Sequence, residues 1–153
     1  MLHRTIATLT LIPSLFITSL ATADSDRKDA KIEKQLAGVW EIEEGVNQGE
    51  ELSDDELEGT TMVVKGDTII TYDKNKKEKY RAMFTIDASK KPIHIDMVTY
   101  MKGRPPMKSL GILKFEEDDE FELCYSLPGE ERPSQFKSPK DSMVMLFECE
   151  RED

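Results

Sequence analysis

The 153-residue chain has few of the residues that build reactive or metal-bound sites. It contains two cysteines and two histidines, too few for a zinc cluster, an iron–sulfur site or a dense set of disulfides. Basic residues are also scarce, because 21 Lys and Arg stand against 31 Asp and Glu, a net charge of −10. A field of that sign repels phosphate backbones and anionic headgroups, so nucleic-acid binding and electrostatic membrane docking are not expected.

The N-terminus carries an uncharged run that indicates export. Arg4 precedes a mostly apolar stretch over residues 5–20, and residues 21–23 form a small-x-small tripeptide. This order is typical of a signal peptide covering residues 1–23. The alternative is an uncleaved membrane anchor, because the run is nearly long enough to span a bilayer; Pro13 and the tripeptide argue against it. We expect a periplasmic or extracellular protein without stable membrane association after cleavage.

The rest of the chain divides into a short leader and one β domain. Residues 24–35 predict a charged, disordered leader that ends in a short helical turn. Residues 36–151 contain eight short segments of alternating apolar and polar side chains, separated by turn signals such as Gly66-Asp67. The pattern predicts an all-β fold, best satisfied by an eight-stranded antiparallel up-and-down barrel, with an open sandwich as the competing arrangement.

The two ends of this domain suggest how a barrel would close. Gly38 and Trp40 open the first strand, and Arg151 follows the last. The first and last strands of a closed barrel are neighbours, so we expect Arg151 to lie over the Trp40 ring. Such a cation–π contact contributes about 0.5–2 kcal/mol.

The opening segment Leu36-Ala37-Gly38-Val39-Trp40 resembles that of lipocalin-type barrels. More specifically, the chain resembles a family of small exported lipocalin-like domains of unknown function that is abundant in planctomycete bacteria. The likeness spans residues 36–151 and is carried by Gly38-x-Trp40, Gly66-Asp67, residues 91–96, Lys102-Gly103, Gly111-Ile112, Leu123-Cys124-Tyr125 and residues 132–138. It implies a lipocalin-like fold outside the cytoplasm and no established activity. Leu113 departs from the family, which usually carries Tyr there.

The interior of the predicted barrel is the candidate binding site. The leading hypothesis is a non-catalytic binding module for a small apolar ligand, because eight-stranded barrels are just wide enough for one. The expected cavity residues are Trp40, Tyr80, Phe84, Leu123 and Tyr125, with Arg132 near the mouth. Alternatively, Arg132 satisfies loop carbonyls while Phe136 plugs the core. The competing function is a filled barrel that serves as an extracytoplasmic protein-interaction or envelope domain.

The remaining polar residues do not indicate a disulfide, a metal site or a catalytic site. Alternation places Cys124 and Cys149 on different faces, so we expect free thiols rather than a disulfide. His94 and Asp96 share a strand face without a third ligand, which disfavours a metal site. One histidine in the mature chain supports no catalytic constellation, so we expect neither an enzyme nor a cofactor. We expect a monomer; the ligand and any protein partner stay open.

Overall fold

A computed structural model of the chain describes residues 18–152. Most of the predicted signal peptide, residues 1–17, lies outside the described residues, and residues 18–23 belong to the first helix. Among the helices that are described, none combines the length and apolar character needed to cross a bilayer.

Within residues 18–152 the chain forms two helices and nine strands. The helices are α1 (Thr18–Leu36) and α2 (Asp54–Leu57). The strands are β1 (Gly38–Asn47), β2 (Glu50–Glu51), β3 (Thr61–Lys65), β4 (Thr68–Tyr72), β5 (Glu78–Asp87), β6 (Ile93–Thr99), β7 (Met107–Phe115), β8 (Glu120–Ser126) and β9 (Val144–Arg151).

Eight of these strands close into an antiparallel barrel, which confirms the predicted architecture over the open sandwich. Strands β3 to β9 pair in chain order, β3 pairs with β1, and β9 returns to β1 to complete the ring. The short β2 folds back on β1 outside that ring. Closure leaves the barrel strands without a long free edge, the usual liability of open sheets.

The alternation that predicted the strands also decides which side chains fill the barrel. On β5, Ala82, Phe84 and Ile86 are buried, whereas the intervening Met83 and Thr85 are exposed. A period of two puts successive side chains on opposite faces of the sheet, so one face supplies the core and the other meets water. The Gly66-Asp67 hairpin expected between β3 and β4 is present, with Gly66 at a φ of +60°.

The charged leader is helical, so the expectation of disorder there was wrong. No glycine or proline interrupts residues 18–36, and Lys28 pairs with Asp24 one turn away at 2.7 Å. Asp29 Oδ1 accepts a hydrogen bond from the Ala88 backbone N–H at 2.7 Å, which fastens α1 to the β5–β6 loop. Leu36, at the end of α1, is buried in the core. Contacts with the barrel therefore stabilise α1 over a longer stretch than the one or two turns that the local sequence pattern predicted.

Trp40 and Arg151 meet at the end of the barrel next to α1. The Trp40 ring is fully buried, and the Arg151 guanidinium carbon lies 4.0 Å from its centroid. Arg151 also donates hydrogen bonds to the carbonyls of Ala37, at 3.0 Å, and Gln35, at 2.6 Å. Gly38 has a φ of +147°, and a Cβ there would collide with the guanidinium. One arginine thus joins β9 to the junction of α1 and β1.

Removing this guanidinium is expected to destabilise the closed end. The variant Arg151→Met should lower the free energy of unfolding by about 2 kcal/mol, because it removes the cation–π contact and two charged hydrogen bonds. Urea denaturation followed by the fluorescence of Trp40 measures the loss. Arg81→Met is the matched control, since Arg81 is exposed and its pair with Glu78 is screened by solvent. Equal losses in the two variants would contradict this role for Arg151.

Candidate functional site

An apolar cavity of about 170 Å³ occupies the end of the barrel opposite to Trp40. Its lining side chains come from seven barrel strands and from the β1–β3 connection. They are Ile42, Leu52, Glu56, Leu57, Thr60, Met62, Ile69, Thr71, Tyr80, Met97, Leu123, Tyr125 and Phe147. Most of these side chains are hydrocarbon or aromatic, which is the usual character of a small-molecule pocket.

The β1–β3 connection, residues 48–60, covers the mouth of this cavity. Its helix α2 begins at Ser53, whose backbone N–H and hydroxyl both donate to the Glu56 carboxylate, at 2.9 and 2.8 Å. These hydrogen bonds also hold the pKa of Glu56 below its ordinary value. Leu52 and Leu57 flank the cap and turn their apolar side chains toward the cavity. We call residues 48–60 the lid.

Gly45 lets the lid approach the barrel closely. The Leu52 backbone N–H donates to the Gly45 carbonyl at 2.8 Å. A Cβ at Gly45 would stand 2.7 Å from a Leu52 methyl group, which would have to move, and at a tight 3.2 Å from the Phe147 ring. The absence of a side chain at Gly45 therefore fixes how deeply Leu52 reaches into the mouth.

Two tyrosines supply polar atoms in the apolar wall. Thr99 Oγ1 donates to the Tyr80 hydroxyl at 3.3 Å, whereas the Tyr125 hydroxyl has no hydrogen-bond partner among residues 18–152. Desolvation raises the pKa of Tyr80, and it raises the pKa of Tyr125 further, with a smaller contribution from Tyr80 itself. Tyr125 stacks on Phe147 with ring centroids 6.2 Å apart. The Tyr125 hydroxyl is therefore neutral and is a polar group at the edge of a mostly apolar cavity.

The same two tyrosines also line an open groove of about 460 Å³ at the lid end of the barrel, between β5, β6, β7 and β8. Pairing between β5 and β6 runs from Asp87↔His94 to Met83↔Val98, so the first residues of β5 extend beyond it. Tyr100, which is 64% exposed, lines the outer side of the groove. Tyr80 and Tyr125 therefore stand between the interior cavity and an open apolar surface.

The structure brings together three of the predicted cavity residues and separates the others. Tyr80, Leu123 and Tyr125 line the cavity. Trp40 and Phe84 are buried in the core but do not line it, so that part of the prediction was wrong. Alternation indicates which face of a strand a side chain occupies, but not how far along the barrel axis it lies.

Arg132 lies on the outer wall of the barrel and not near the mouth. Its guanidinium donates to Asp96 Oδ1 at 2.6 Å and to the carbonyls of Ile95 and Gly111. Burial alone would raise the pKa of Asp96, but the hydrogen bonds from Lys108 and Arg132 outweigh it and hold that pKa below its ordinary value. The arginine therefore anchors a loop to strands β6 and β7.

That loop, residues 127–143, forms a strap across the outer face of the barrel. Phe136 contacts Lys114, whose amine lies 4.8 Å from the ring centroid, so Phe136 does not plug the core as the alternative interpretation supposed. Outward-facing Ile112 and Cys124 are nevertheless buried. Cys124 Sγ lies 3.5 Å from the Gln135 carbonyl and 3.7 Å from that of Lys137, which places this part of the strap over the thiol.

The two thiols are free and lie on different faces of the sheet. Cys124 is opposite Leu146, whereas Cys149 is opposite Phe121 and belongs to the interior core. Burial raises the pKa of Cys124 to about 11 and raises the pKa of Cys149 well above its ordinary range. Both groups are therefore neutral thiols at physiological pH.

His94 is half-buried on the outer face. Burial, followed by the charge of Arg132, lowers the pKa of its imidazole. Among residues 18–152 no three His, Cys, Asp or Glu side chains are grouped so that they could hold a metal ion.

Sequence reasoning missed the lid as a wall of the cavity. Leu52 and Leu57 stand at the positions immediately before the cap and four residues after it, the spacing of a hydrophobic staple. That signal accompanies the Ser53–Glu56 capping box and marks the two leucines as a buried pair. It does not reveal that the buried side is the mouth of a barrel.

Comparison of the chain with protein-family models, with curated proteins and with solved structures finds no match in any of the three.

The buried thiol of Cys124 should make stability fall at alkaline pH. Its pKa is raised in the folded protein, so the unfolded chain loses the thiol proton at a lower pH than the folded chain does. This difference destabilises the folded state; the effect is absent below about pH 8.5 and grows toward pH 11. Between those values the free energy of unfolding should drop by up to about 2 kcal/mol more in the natural chain than in Cys124→Ala. Urea titrations at several pH values measure the difference, and parallel pH profiles would contradict the assignment.

Proposed function

We propose that the protein is an exported, non-catalytic lipocalin-like barrel that binds one small, largely apolar molecule in the cavity under the lid. The proposal rests on the apolar cavity itself, in whose wall the Tyr125 hydroxyl forms no hydrogen bond with the described residues. No buried side-chain oxygen or nitrogen among these residues lacks a partner, so the Tyr125 hydroxyl is accessible at the edge of the cavity. A ligand that carries one hydrogen-bonding atom would find a partner in this hydroxyl.

The volume of the cavity limits the size of the ligand. An apolar cavity of about 150 Å³ accommodates benzene, whereas drug-sized ligands occupy pockets of about 300–1,000 Å³. A cavity of about 170 Å³ therefore suits a molecule with a single ring or a short branched chain. A phenol or a similar ring with one polar substituent combines that size with a partner for Tyr125.

The export part of the proposal rests on the sequence pattern of residues 1–23 and on the resemblance to exported lipocalin-like domains. In that setting the ligand would be met in the periplasm or outside the cell. The lid and the groove outside Tyr80 and Tyr125 are the two routes by which it would reach the cavity.

Binding is tested by titrating phenol and toluene into the full chain, with the processed N-terminus established by intact mass. We expect phenol to bind. Tyr125→Phe should weaken the affinity for phenol by about two- to tenfold and change the affinity for toluene by less than about twofold. Thr71→Phe should abolish binding of both, because it fills the cavity. Thr85→Phe is the matched control, since Thr85 is exposed on the outer face.

Each outcome bears on one part of the proposal. Binding that survives Thr71→Phe would place the ligand elsewhere and overturn the assignment of the cavity. The absence of uptake of either compound, together with a clean mass in native mass spectrometry, would favour the competing function as a filled protein-interaction domain. Exposed Tyr100 and Met101, which are 64% and 40% accessible, would then be the contact surface to substitute first.

A further inference from the structure

A second apolar groove lies at the opposite end of the barrel from the cavity, between α1 and the β5–β6 loop. Its volume is about 450 Å³. Ile32 contributes from α1, Pro92 and Ile93 from the loop and the start of β6, and Phe115 from the end of β7. All four are partly accessible, so the groove presents hydrocarbon to solvent.

Lysines surround this groove, although the protein as a whole carries a net charge of −10. Lys28 and Lys31 come from α1, Lys90 and Lys91 from the loop, and Lys114 from β7. All of them retain their amines in or near water, because Lys28, Lys31, Lys90 and Lys91 are exposed and Lys114 is half-buried. Five of the 21 basic residues therefore lie around one apolar surface.

Three of these five lysines form no salt bridge with another described residue. Lys28 pairs with Asp24, and Lys114 pairs with Glu116 and Glu122. Lys31, Lys90 and Lys91 take part in none of the salt bridges formed between residues 18 and 152.

The nearby carboxylates are already engaged with the backbone. Asp29 accepts a hydrogen bond from the Ala88 N–H, and Asp87 accepts hydrogen bonds from the N–H and the hydroxyl of Ser89. Hydrogen bonds to the backbone leave the charge of a carboxylate in place, but neither Asp29 nor Asp87 forms a salt bridge with Lys31, Lys90 or Lys91. A ligand that is both anionic and apolar would pair with these amines and cover the exposed apolar floor.

We infer that this groove binds a single-chain anionic amphiphile of the fatty-acid class. The alkyl chain lies on Ile32, Pro92, Ile93 and Phe115, and the carboxylate lies among Lys31, Lys90 and Lys91. A groove of about 450 Å³ has the size of a site for one small molecule, and the net charge of −10 disfavours docking to an anionic bilayer. The site is separate from the ring-sized cavity under the lid and does not depend on ligand binding there.

The test uses decanoate, kept below its aggregation concentration, and the full chain in calorimetric titrations. Decan-1-ol supplies the chain without the charge, and acetate supplies the charge without the chain. We expect decanoate to bind at least about tenfold more tightly than decan-1-ol, since only decanoate carries a charge that the three lysines attract. Acetate should show no binding, and the affinity for decanoate should fall as salt rises toward about 0.15 M.

The double variant Lys90→Gln/Lys91→Gln should weaken decanoate binding about tenfold and leave decan-1-ol unchanged. Its matched control is Lys76→Gln/Lys77→Gln, which changes the net charge equally at the exposed β4–β5 turn, near the lid end of the barrel. Thr71→Phe should leave decanoate binding unchanged, which distinguishes this site from the cavity. Equal weakening by the two lysine pairs, or equal affinity for decanoate and decan-1-ol, would overturn the proposal.

A vesicle experiment separates a single bound amphiphile from a membrane surface. We expect no lysine-dependent sedimentation of the protein with phosphatidylcholine vesicles that contain phosphatidylglycerol. Sedimentation that is lost in Lys90→Gln/Lys91→Gln, combined with no binding of monomeric decanoate, would overturn the inferred ligand and make an anionic bilayer the occupant of the groove.

Discussion

The contact between Trp40 and Arg151 joins the two ends of the barrel domain, and the rest of the structure depends on that junction. A meander of antiparallel strands has two free edges until its first and last strands pair. Here β1 and β9 pair along nearly their whole lengths, and Arg151 adds hydrogen bonds to the carbonyls that end α1. The Trp40 ring packs edge-on against Phe121, with centroids 4.6 Å apart, and fills the interior at that level.

Filling one end of the barrel determines where a ligand can be held. Leu36, Trp40 and Phe121 occupy the end next to α1, and little of their surface reaches solvent. The opposite end is covered by a lid that contributes two leucines and a four-residue helix, which is too little to fill the space beneath it. The cavity is therefore a consequence of unequal packing along the barrel axis, with Tyr80 and Tyr125 at its side wall.

The periodic part of the sequence was sufficient to predict the barrel, because a period of two survives tertiary packing. The segment from Tyr80 to Ile86 illustrates this, since its alternating burial follows directly from its pattern. The length of α1 could not be predicted, because its docking through Asp29 and Leu36 joins residues far apart in sequence. A helix whose stability comes from such contacts leaves only a weak local signal.

The candidate site was predictable only in part, for a geometric reason. Tyr80, Leu123 and Tyr125 were found because they face inward, but Phe84 also faces inward and lies deeper, outside the cavity. Arg132 was expected near the mouth because it lies in the long connection between the last two strands. The strap instead carries it back along the outer wall to Asp96. Neither depth along the axis nor the path of a long loop is encoded in alternation.

The strap over the outer wall also changes what the outside of this barrel can tolerate. Outward positions on a small barrel ordinarily accept polar substitutions, but Ile112 and Cys124 sit in a second, external layer of buried side chains. The wall at β7 and β8 is therefore packed on both faces, like a central layer in a sandwich. The strap's hydrogen bonds reach β6, β7 and β8 and none reaches β3 to β5, so a polar side chain introduced on the outer face should be more costly at β7 and β8 than at β3 to β5.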